Sequence, residues 1–332
     1  MEIMSDINTS AFSGHHIFIS ESIAFVFPGQ GSQYVGMGKE IYENFDEARE
    51  TFGEASKELR YDVARLCFEG PEKELQKTTR TQPSILTVSI AINRVLLSKG
   101  IKPSVVAGHS LGEYSALVST ETISFRDAVK ITEKRGVFMQ EAVPEGKGLM
   151  AVILGLERNE VDEICISLKS GYASPANYNC PGQIVIAGER KAVEEAMKIA
   201  KEKGAKRVIP LAVSVPSHCS LMADASSKLA DLLDEMDLND PVIPVVNNAD
   251  AMFLNDKESI KRSLIRQLNN PLLWEDSIRL IVDSGVDTFI EVGPGKVLSG
   301  LIKRIEPSAK VFNVEDIKSL DKTLTELGNK NN

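Results

Sequence analysis

Short apolar runs alternate with amphipathic stretches along most of the chain. The run IAFVF at 23–27 leads into the turn-forming PGQGSQ, and the run SVVAGHS at 104–110 follows a proline and ends near a glycine. Short apolar segments bounded by glycine and proline are typical of buried strands. We therefore predict two core strands, each of which ends in a tight turn.

Three longer segments have the spacing of helices. Residues 82–100 form an apolar stretch that stops at a glycine, and residues 111–120 follow directly on the second predicted strand. The segment 124–143 begins with a serine, a good N-cap, and ends before a proline. Strands that alternate with helices in this way predict an α/β fold.

The middle of the chain has a different order of elements. Between Gly148 and Pro210 the pattern predicts strand, helix, strand, strand, helix, strand, which is the order of the ferredoxin-like unit. We predict a small domain at 146–211, inserted in a larger α/β domain made of 23–145 and 212–320.

The two ends of the chain are predicted to lie outside these domains. Residues 1–22 have neither a basic stretch nor a long apolar stretch, so they do not resemble a signal peptide, and we expect a disordered leader. Residues 321–332 are predicted to be a C-terminal tail.

Charge and composition exclude several classes of protein. The 332 residues include 38 Lys and Arg against 47 Asp and Glu, a net charge of −9, which argues against a nucleic-acid partner. No apolar run reaches the roughly 18 residues that a membrane span needs.

The four cysteines include no CxxC pair, and no His or Cys cluster has zinc spacing, so we expect neither a disulfide framework nor a metal site. Isolated thiols suit a reducing compartment, which predicts a cytoplasmic location.

A nucleophile is indicated by Gly108-His109-Ser110-Leu111-Gly112, which fits the G-x-S-x-G pattern between a predicted strand and a predicted helix. In that context the serine hydroxyl is exposed on a sharp turn. The backbone N–H of Leu111 would lie at the start of the helix, where it is suited to stabilise an oxyanion. The alternative is an ordinary glycine-rich turn between a strand and a helix.

A nucleophilic serine needs a base, and the sequence has only four histidines. His15 and His16 lie in the leader, and His109 precedes Ser110 in the turn, so its side chain should point elsewhere. His218 is then the remaining candidate. No acidic residue is marked as its orienting partner, but a backbone carbonyl can also hold the required tautomer.

An arginine breaks the pattern of the helix at 124–143. With about 100° per residue, Arg135 falls in the middle of the apolar arc, between Ala128 and Ala142. A buried guanidinium needs an anion, and its planar fork suits a carboxylate. The anion is either an internal Asp or Glu or a substrate carboxylate. The second possibility, together with a nucleophilic serine, suggests transfer of an acyl group that carries a second acid.

Seven motifs match a known family. The chain resembles the malonyl-CoA:acyl carrier protein transacylases of bacterial fatty-acid synthesis and the related acyltransferase domains of polyketide synthases, from residue 24 to about 317. The motifs occur in the family's order: FPGQGSQ (27–33), GHSLGEYSAL (108–117), KRG (134–136), NYNCPGQIVIAG (177–188), VSVPSHC (213–219), QLNNPLLW (267–274) and FIEVGPG (289–295).

The resemblance implies a fold and a set of roles. The large domain would be α/β-hydrolase-like and the small one ferredoxin-like. Ser110 would be the nucleophile, His218 the base, and Arg135 the clamp for the malonyl carboxylate.

Further roles follow from the same resemblance. The N–H of Gln30 would join that of Leu111 in the oxyanion hole. Gln267 would orient His218 through its backbone carbonyl. Asn177 and Asn179 would line the cleft between the two domains.

The implied substrates are malonyl-CoA and acyl carrier protein, and we expect a monomer that needs no cofactor. Because carrier proteins are acidic, docking would require a local basic patch, with candidates at Lys198–Arg207, Lys296, Lys303 and Arg304. Alternatively these residues are solvated helix faces. Three other functions stay open: acyl transfer in polyketide synthesis, thioester hydrolysis, and a scaffold that only binds carrier proteins.

Overall fold

The computed structural model describes residues 23–211 and 215–328. The leader predicted for 1–22 lies outside these residues. Within the described part, strands and helices form a mixed α/β structure with a largely parallel sheet and a separate antiparallel sheet. No helix among the described residues is long and apolar enough to cross a membrane.

The strands are short, and most of their residues are buried. Their bounds are β1 Ile23–Phe27, β2 Val105–Gly108, β3 Gly148–Leu154, β4 Ala173–Cys180, β5 Gln183–Glu189, β6 Arg207–Pro210, β7 Val245–Val246, β8 Phe253–Leu254, β9 Thr288–Val292 and β10 Lys310–Val314.

The helices lie mostly between the strands in the chain. Their bounds are α1 Lys39–Asn44, α2 Asp46–Leu59, α3 Val63–Glu69, α4 Glu72–Leu75, α5 Thr78–Ser98, α6 Gly112–Ser119, α7 Phe125–Ala142, α8 Arg158–Ser167, α9 Arg190–Glu202, α10 Ala223–Asp234, α11 Lys257–Asn269, α12 Trp274–Asp283, α13 Val297–Ile305 and α14 Ile317–Gly328, with a 3₁₀ turn at Ser220–Met222.

The larger sheet has helices on both faces. Its strand order is β10-β9-β1-β2-β7-β8, and every pairing is parallel except that of β7 with β8. Successive side chains of a strand point to opposite faces. Accordingly Phe25 and Phe27 enter the core with α2, α5 and α7, whereas Ala24 and Val26 enter a second core with α12 and α13.

The smaller sheet comes from one continuous stretch of chain. It is antiparallel, and its strand order is β4-β5-β3-β6. One face packs on α8 and α9 through residues such as Ile153, Ile186 and Val193. Strand β4 is joined to the segment that precedes α12, where Tyr178 donates its backbone N–H to the carbonyl of Leu272 at 2.9 Å. This contact attaches the antiparallel sheet to the part of the chain that carries α12.

The helix predicted from Ser124 is confirmed, and the Ser124 hydroxyl caps it by accepting the N–H of Asp127. The long helix α5 begins at Thr78, before the predicted stretch, and Pro83 lies inside it. Its first turn is buried against α7, where a Cβ on Gly136 would lie 2.9 Å from the Cα of Thr79. This packing extends the helix beyond what the apolar pattern indicates.

The C-terminal tail predicted from Asp321 is wrong in part. Residues 321–328 continue α14, because Leu320 and Thr323 are buried and Leu324 packs against the main core. An amphipathic stretch of this kind gains apolar burial when it is helical.

Candidate active site

The strand β2 and the helix α6 are joined by a turn that presents Ser110. Ser110 has a φ of +54°, a conformation that is uncommon for a residue with a side chain. Its backbone N–H donates to Asn248 Oδ1 at 2.7 Å. The two motif glycines allow close packing, since a Cβ on Gly108 would lie 1.9 Å from the carbonyl carbon of Gly112. The hydrogen bond to Asn248 and the close packing of the two glycines therefore hold the turn in a strained geometry.

His218 lies beside this turn and is almost completely buried. The Ser110 Oγ lies 2.8 Å from His218 Nε2, and His218 Nδ1 lies 2.8 Å from the backbone carbonyl oxygen of Gln267. Because that carbonyl can only accept, Nδ1 carries the proton and Nε2 is free to accept from the serine hydroxyl. The neighbouring His109 points away, with its Nε2 2.9 Å from Asn179 Oδ1.

The electrostatic environment keeps His218 neutral. Burial, and then the positive charge of Arg135, lower the pKa of His218 to about 3. At neutral pH the imidazole is therefore unprotonated at Nε2 and able to take a proton.

Arg135 projects from α7 to the same place, and only 1% of it is exposed. Its Nη1 donates to Gln82 Oε1 at 2.8 Å, and its Nη2 donates to Gln267 Oε1 at 3.1 Å and to Ser110 Oγ at 3.2 Å. Among residues 23–211 and 215–328, no carboxylate lies within 4 Å of the guanidinium. The internal ion pair considered from the sequence is thus absent there, and neutral carboxamides hold the cation instead.

Gln30 and Leu111 offer two backbone donors near Ser110. Leu111 precedes α6, and Gln30 lies in the loop after β1. In the part of the chain that the structure describes, neither backbone N–H donates to a protein acceptor. The loop packs tightly on the Ser110 turn, since a Cβ on Gly29 would lie 2.3 Å from the carbonyl oxygen of His109.

These groups surround one cavity of about 210 Å³ between the two sheets. The larger sheet and its helices contribute Ser110, Arg135, His218 and Gln30, and β4 contributes Asn177 and Asn179, both less than a tenth exposed. The structure thus brings together residues that lie far apart in the sequence.

Comparisons with known proteins agree with this arrangement. The acyl transferase domain family matches residues 24–323. The chain belongs to the acyl transferase family. The malonyl CoA-acyl carrier protein transacylase of Bacillus subtilis is 47% identical to it over 311 residues, which cover 93% of this chain and 98% of that protein. The resemblance inferred from the seven motifs is therefore confirmed.

Solved structures give the same result. An acyl carrier protein S-malonyltransferase of Vibrio cholerae has a TM-score of 0.89 and 48% identity, and it covers 91% of this chain and 100% of its own. A malonyl-transacylase in complex with its type II polyketide synthase acyl-carrier protein has a TM-score of 0.90 and 48% identity. The match covers 92% of this chain and 100% of that chain.

Three residues around this acyl transferase site were not singled out from the sequence. Asn248 holds the Ser110 backbone, Glu113 accepts hydrogen bonds from Asn248 and Gln267, and Gln82 holds Arg135. Glu113 lies inside the GHSLGEYSAL motif, so its position three residues after Ser110 is a signal that could have been used. Asn248 and Gln82 carry no such signal, because they reach the site only through the tertiary fold.

The basic residues predicted to dock a carrier protein are only partly brought together. Lys206, Arg207 and Arg304 border one depression, and Arg304 also donates to Gln183 Oε1, which lines the cavity of the acyl transferase. Lys203 pairs with Glu163 at 3.5 Å on the far side of the antiparallel sheet. In the described residues no group of three or more His, Cys, Asp or Glu side chains could hold a metal ion.

Proposed function

We propose that this acyl transferase moves the malonyl group from malonyl-CoA to the phosphopantetheine thiol of acyl carrier protein, as in fatty-acid biosynthesis. The observation that carries this proposal is the Ser110 Oγ, which contacts both a buried neutral imidazole and a buried guanidinium that has no carboxylate partner among the described residues. The names of its relatives, malonyl CoA-acyl carrier protein transacylases at 47–51% identity, support the same reaction.

In the first half-reaction Ser110 Oγ attacks the thioester carbonyl carbon of malonyl-CoA. Its proton moves to His218 Nε2, while the proton on Nδ1 stays hydrogen-bonded to the Gln267 carbonyl. The tetrahedral intermediate collapses, the carbon–sulfur bond breaks, and the imidazolium gives its proton to the departing CoA thiolate. A malonyl ester of Ser110 remains.

The oxyanion of the intermediate would be stabilised by the backbone N–H groups of Gln30 and Leu111. Because neither N–H has an acceptor among residues 23–211 and 215–328, no existing hydrogen bond there must break when charge develops on the substrate oxygen. In the second half-reaction the carrier thiol gives a proton to His218 and attacks the ester carbonyl, and Ser110 leaves with that proton.

Arg135 would bind the free carboxylate of the malonyl group. A carboxylate is the natural partner of a planar guanidinium that has only neutral partners in the described part of the chain. Its negative charge would also offset the Arg135 charge that lowers the pKa of His218. The bound substrate thereby makes the base stronger at the time when it is needed.

For the fold, we infer an α/β-hydrolase-like large domain with a ferredoxin-like domain inserted at 146–211. The strand order β4-β5-β3-β6, with a helix after the first and the third of the four strands in chain order, supports the ferredoxin-like assignment. The parallel sheet that carries a serine on a strand-to-helix turn supports the hydrolase-like one. The four free cysteines favour a cytoplasmic location.

For carrier docking, we infer that the depression bordered by Lys206, Arg207 and Arg304 contributes to the basic patch. If an acidic carrier protein docks there, the rate of malonyl transfer should fall steeply as the salt concentration rises, because exposed charges are screened over about 10 Å at an ionic strength of 0.1 M. A transfer rate that does not depend on salt would contradict this docking site.

One assay separates the candidate activities. Labelled malonyl-CoA is incubated with the protein, with and without holo acyl carrier protein. We expect labelled carrier protein, whereas free malonate would indicate a hydrolase and no turnover would indicate a scaffold. Because one relative acts with a type II polyketide synthase carrier protein, the assay should include carriers of both pathways. Faster loading of the fatty-acid carrier is the expected result.

A further inference from the structure

Glu113 is a buried carboxyl to which the reaction above gives no role. It lies in the first turn of α6, three residues after Ser110, and only 1% of it is exposed. Its Oε2 accepts the backbone N–H of Asn248 at 3.1 Å and the Nε2 of Gln267 at 2.9 Å. In the described part of the chain it has no ion-pair partner within 4 Å.

Gln267 reaches all of the reacting groups. Its backbone carbonyl holds His218, and its side-chain Oε1 accepts from Arg135 at 3.1 Å. Its Nε2 donates to the backbone carbonyl of Ser110 at 2.9 Å as well as to Glu113. The side-chain carboxamide of Gln267 therefore contacts the cation and the Ser110 turn, while its backbone carbonyl holds the base.

Asn248 provides a second route to the nucleophile. Its Oδ1 accepts the N–H of Ser110, and its Nδ2 donates to the carbonyl of Gly108 at 2.7 Å. Because Glu113 accepts the backbone N–H of Asn248 itself, the carboxyl fixes the point from which that side chain extends.

The two ends of a carboxamide have almost the same shape, and only their partners decide which way it points. The NH₂ end of Gln267 has two acceptors, Glu113 Oε2 and the Ser110 carbonyl oxygen, and its oxygen end accepts from Arg135. Without the acceptor at Glu113, one of the two N–H groups loses its partner inside the protein, and the carboxamide that holds Arg135 is fixed less firmly.

We propose that Glu113 is a positioning residue for malonyl transfer, which immobilises the Gln267 carboxamide and anchors Asn248, and through them aligns Arg135 and the Ser110 turn. The proposal rests on the function proposed above. Both hydrogen bonds end on Oε2, so a proton on Oε1 leaves them in place. Burial raises the pKa of Glu113 to about 7, and the role depends on hydrogen-bond acceptance rather than on charge.

Two variants separate acceptance from charge. Glu113→Gln loses the charge but keeps an acceptor oxygen at the same reach, whereas Glu113→Asp keeps the charge but is one methylene too short for both bonds. The readouts are kcat and KM with malonyl-CoA and with acetyl-CoA. The acetyl group has no carboxylate for Arg135, so the ratio of the two kcat/KM values reports the alignment of that residue.

We expect Glu113→Gln to keep both the rate and the ratio. Glu113→Asp should lower kcat with malonyl-CoA by about tenfold or more, and it should lower the malonyl-to-acetyl ratio, because small displacements at a reacting centre cost up to about 100-fold. If the role of Glu113 were purely structural, kcat/KM would fall by the same factor for malonyl-CoA and for acetyl-CoA, and their ratio would stay unchanged. The control is Glu58→Gln, which removes a partner of Lys130 at 3.0 Å on α7 and should change neither value.

The proposal is overturned if Glu113→Asp keeps the malonyl-to-acetyl ratio, or if Glu113→Gln loses as much as Glu113→Asp. If Glu113→Asp is not recovered as folded protein by circular dichroism, Glu113→Met takes its place in the same comparison, because methionine fills a similar volume and has only a weakly accepting sulfur in place of the carboxyl oxygens. Failure of the unaltered protein to load the carrier would refute the proposed function instead, so the two failures are distinguishable.

Discussion

Replacement of Arg135 by alanine tests the origin of substrate preference. Arg135 is 1% exposed, and its hydrogen-bond partners among the described residues are the neutral side chains of Gln82, Gln267 and Ser110. Its guanidinium also lies 5.7 Å from the centre of the Tyr114 ring. A malonyl carboxylate would therefore be its counter-ion in the complex. The variant removes that pairing and leaves Ser110 and His218 in place.

The magnitude follows from the burial of the pair. Removal of one partner from a buried, hydrogen-bonded charge pair costs roughly 3–5 kcal/mol. At about 1.4 kcal/mol for each factor of ten, kcat/KM for malonyl-CoA should fall by roughly 100-fold to several thousand-fold. Acetyl-CoA has no such carboxylate, so its kcat/KM should change much less, and the relative preference for acetyl should rise.

The assay measures transfer to holo acyl carrier protein from labelled malonyl-CoA and from labelled acetyl-CoA. A melting curve is needed beside it, because the variant leaves the acceptor oxygens of Gln82 and Gln267 without a donor, at about 1–3 kcal/mol each. Lys134→Ala is the matched control, since it removes the adjacent, exposed charge from the same helix. An Arg135→Ala variant that stays folded and keeps its preference for malonyl would refute the role assigned to this residue.

Two further predictions concern the base and the loop after β1. In a pH profile of kcat/KM, activity should fall on the acid side only at a pH well below the usual histidine range, where the lowered pKa of His218 is reached. Arg135→Ala removes a positive charge that lowers this pKa, so the fall should move to higher pH. A fall at the same pH in the variant would contradict the effect of Arg135 on His218. Gly29→Ala places a Cβ 2.3 Å from the His109 carbonyl oxygen and should lower kcat by about tenfold or more, since it displaces an oxyanion donor. Gly53→Ala, whose Cβ meets nothing within 4 Å, should leave kcat unchanged and stabilise the fold by about 0.5–1 kcal/mol.

Local pattern was enough to predict most of the elements. The apolar run at 23–27, the cap at Ser124 and the order of strands and helices between 148 and 210 each reflect short-range constraints that the structure reproduces. The helical start at Thr78 and the helical residues 321–328 were not predicted, because both depend on packing against distant parts of the chain.

The candidate site divides in the same way. Ser110 is marked by a local motif, Arg135 by a charge in an apolar arc, and His218 by the small number of histidines. Asn248 and Gln82 contact them through side chains that fold from 138 and 53 residues away in sequence, and no local pattern distinguishes those two from other polar residues.

The central claim is a covalent malonyl ester on Ser110. The most direct test is intact-mass analysis after brief exposure of the protein to malonyl-CoA without carrier protein, followed by peptide mapping. The account predicts a single malonyl adduct on the peptide that contains Ser110, which disappears when holo acyl carrier protein is added. A protein that turns over malonyl-CoA without an adduct, or with the adduct on another residue, would contradict it.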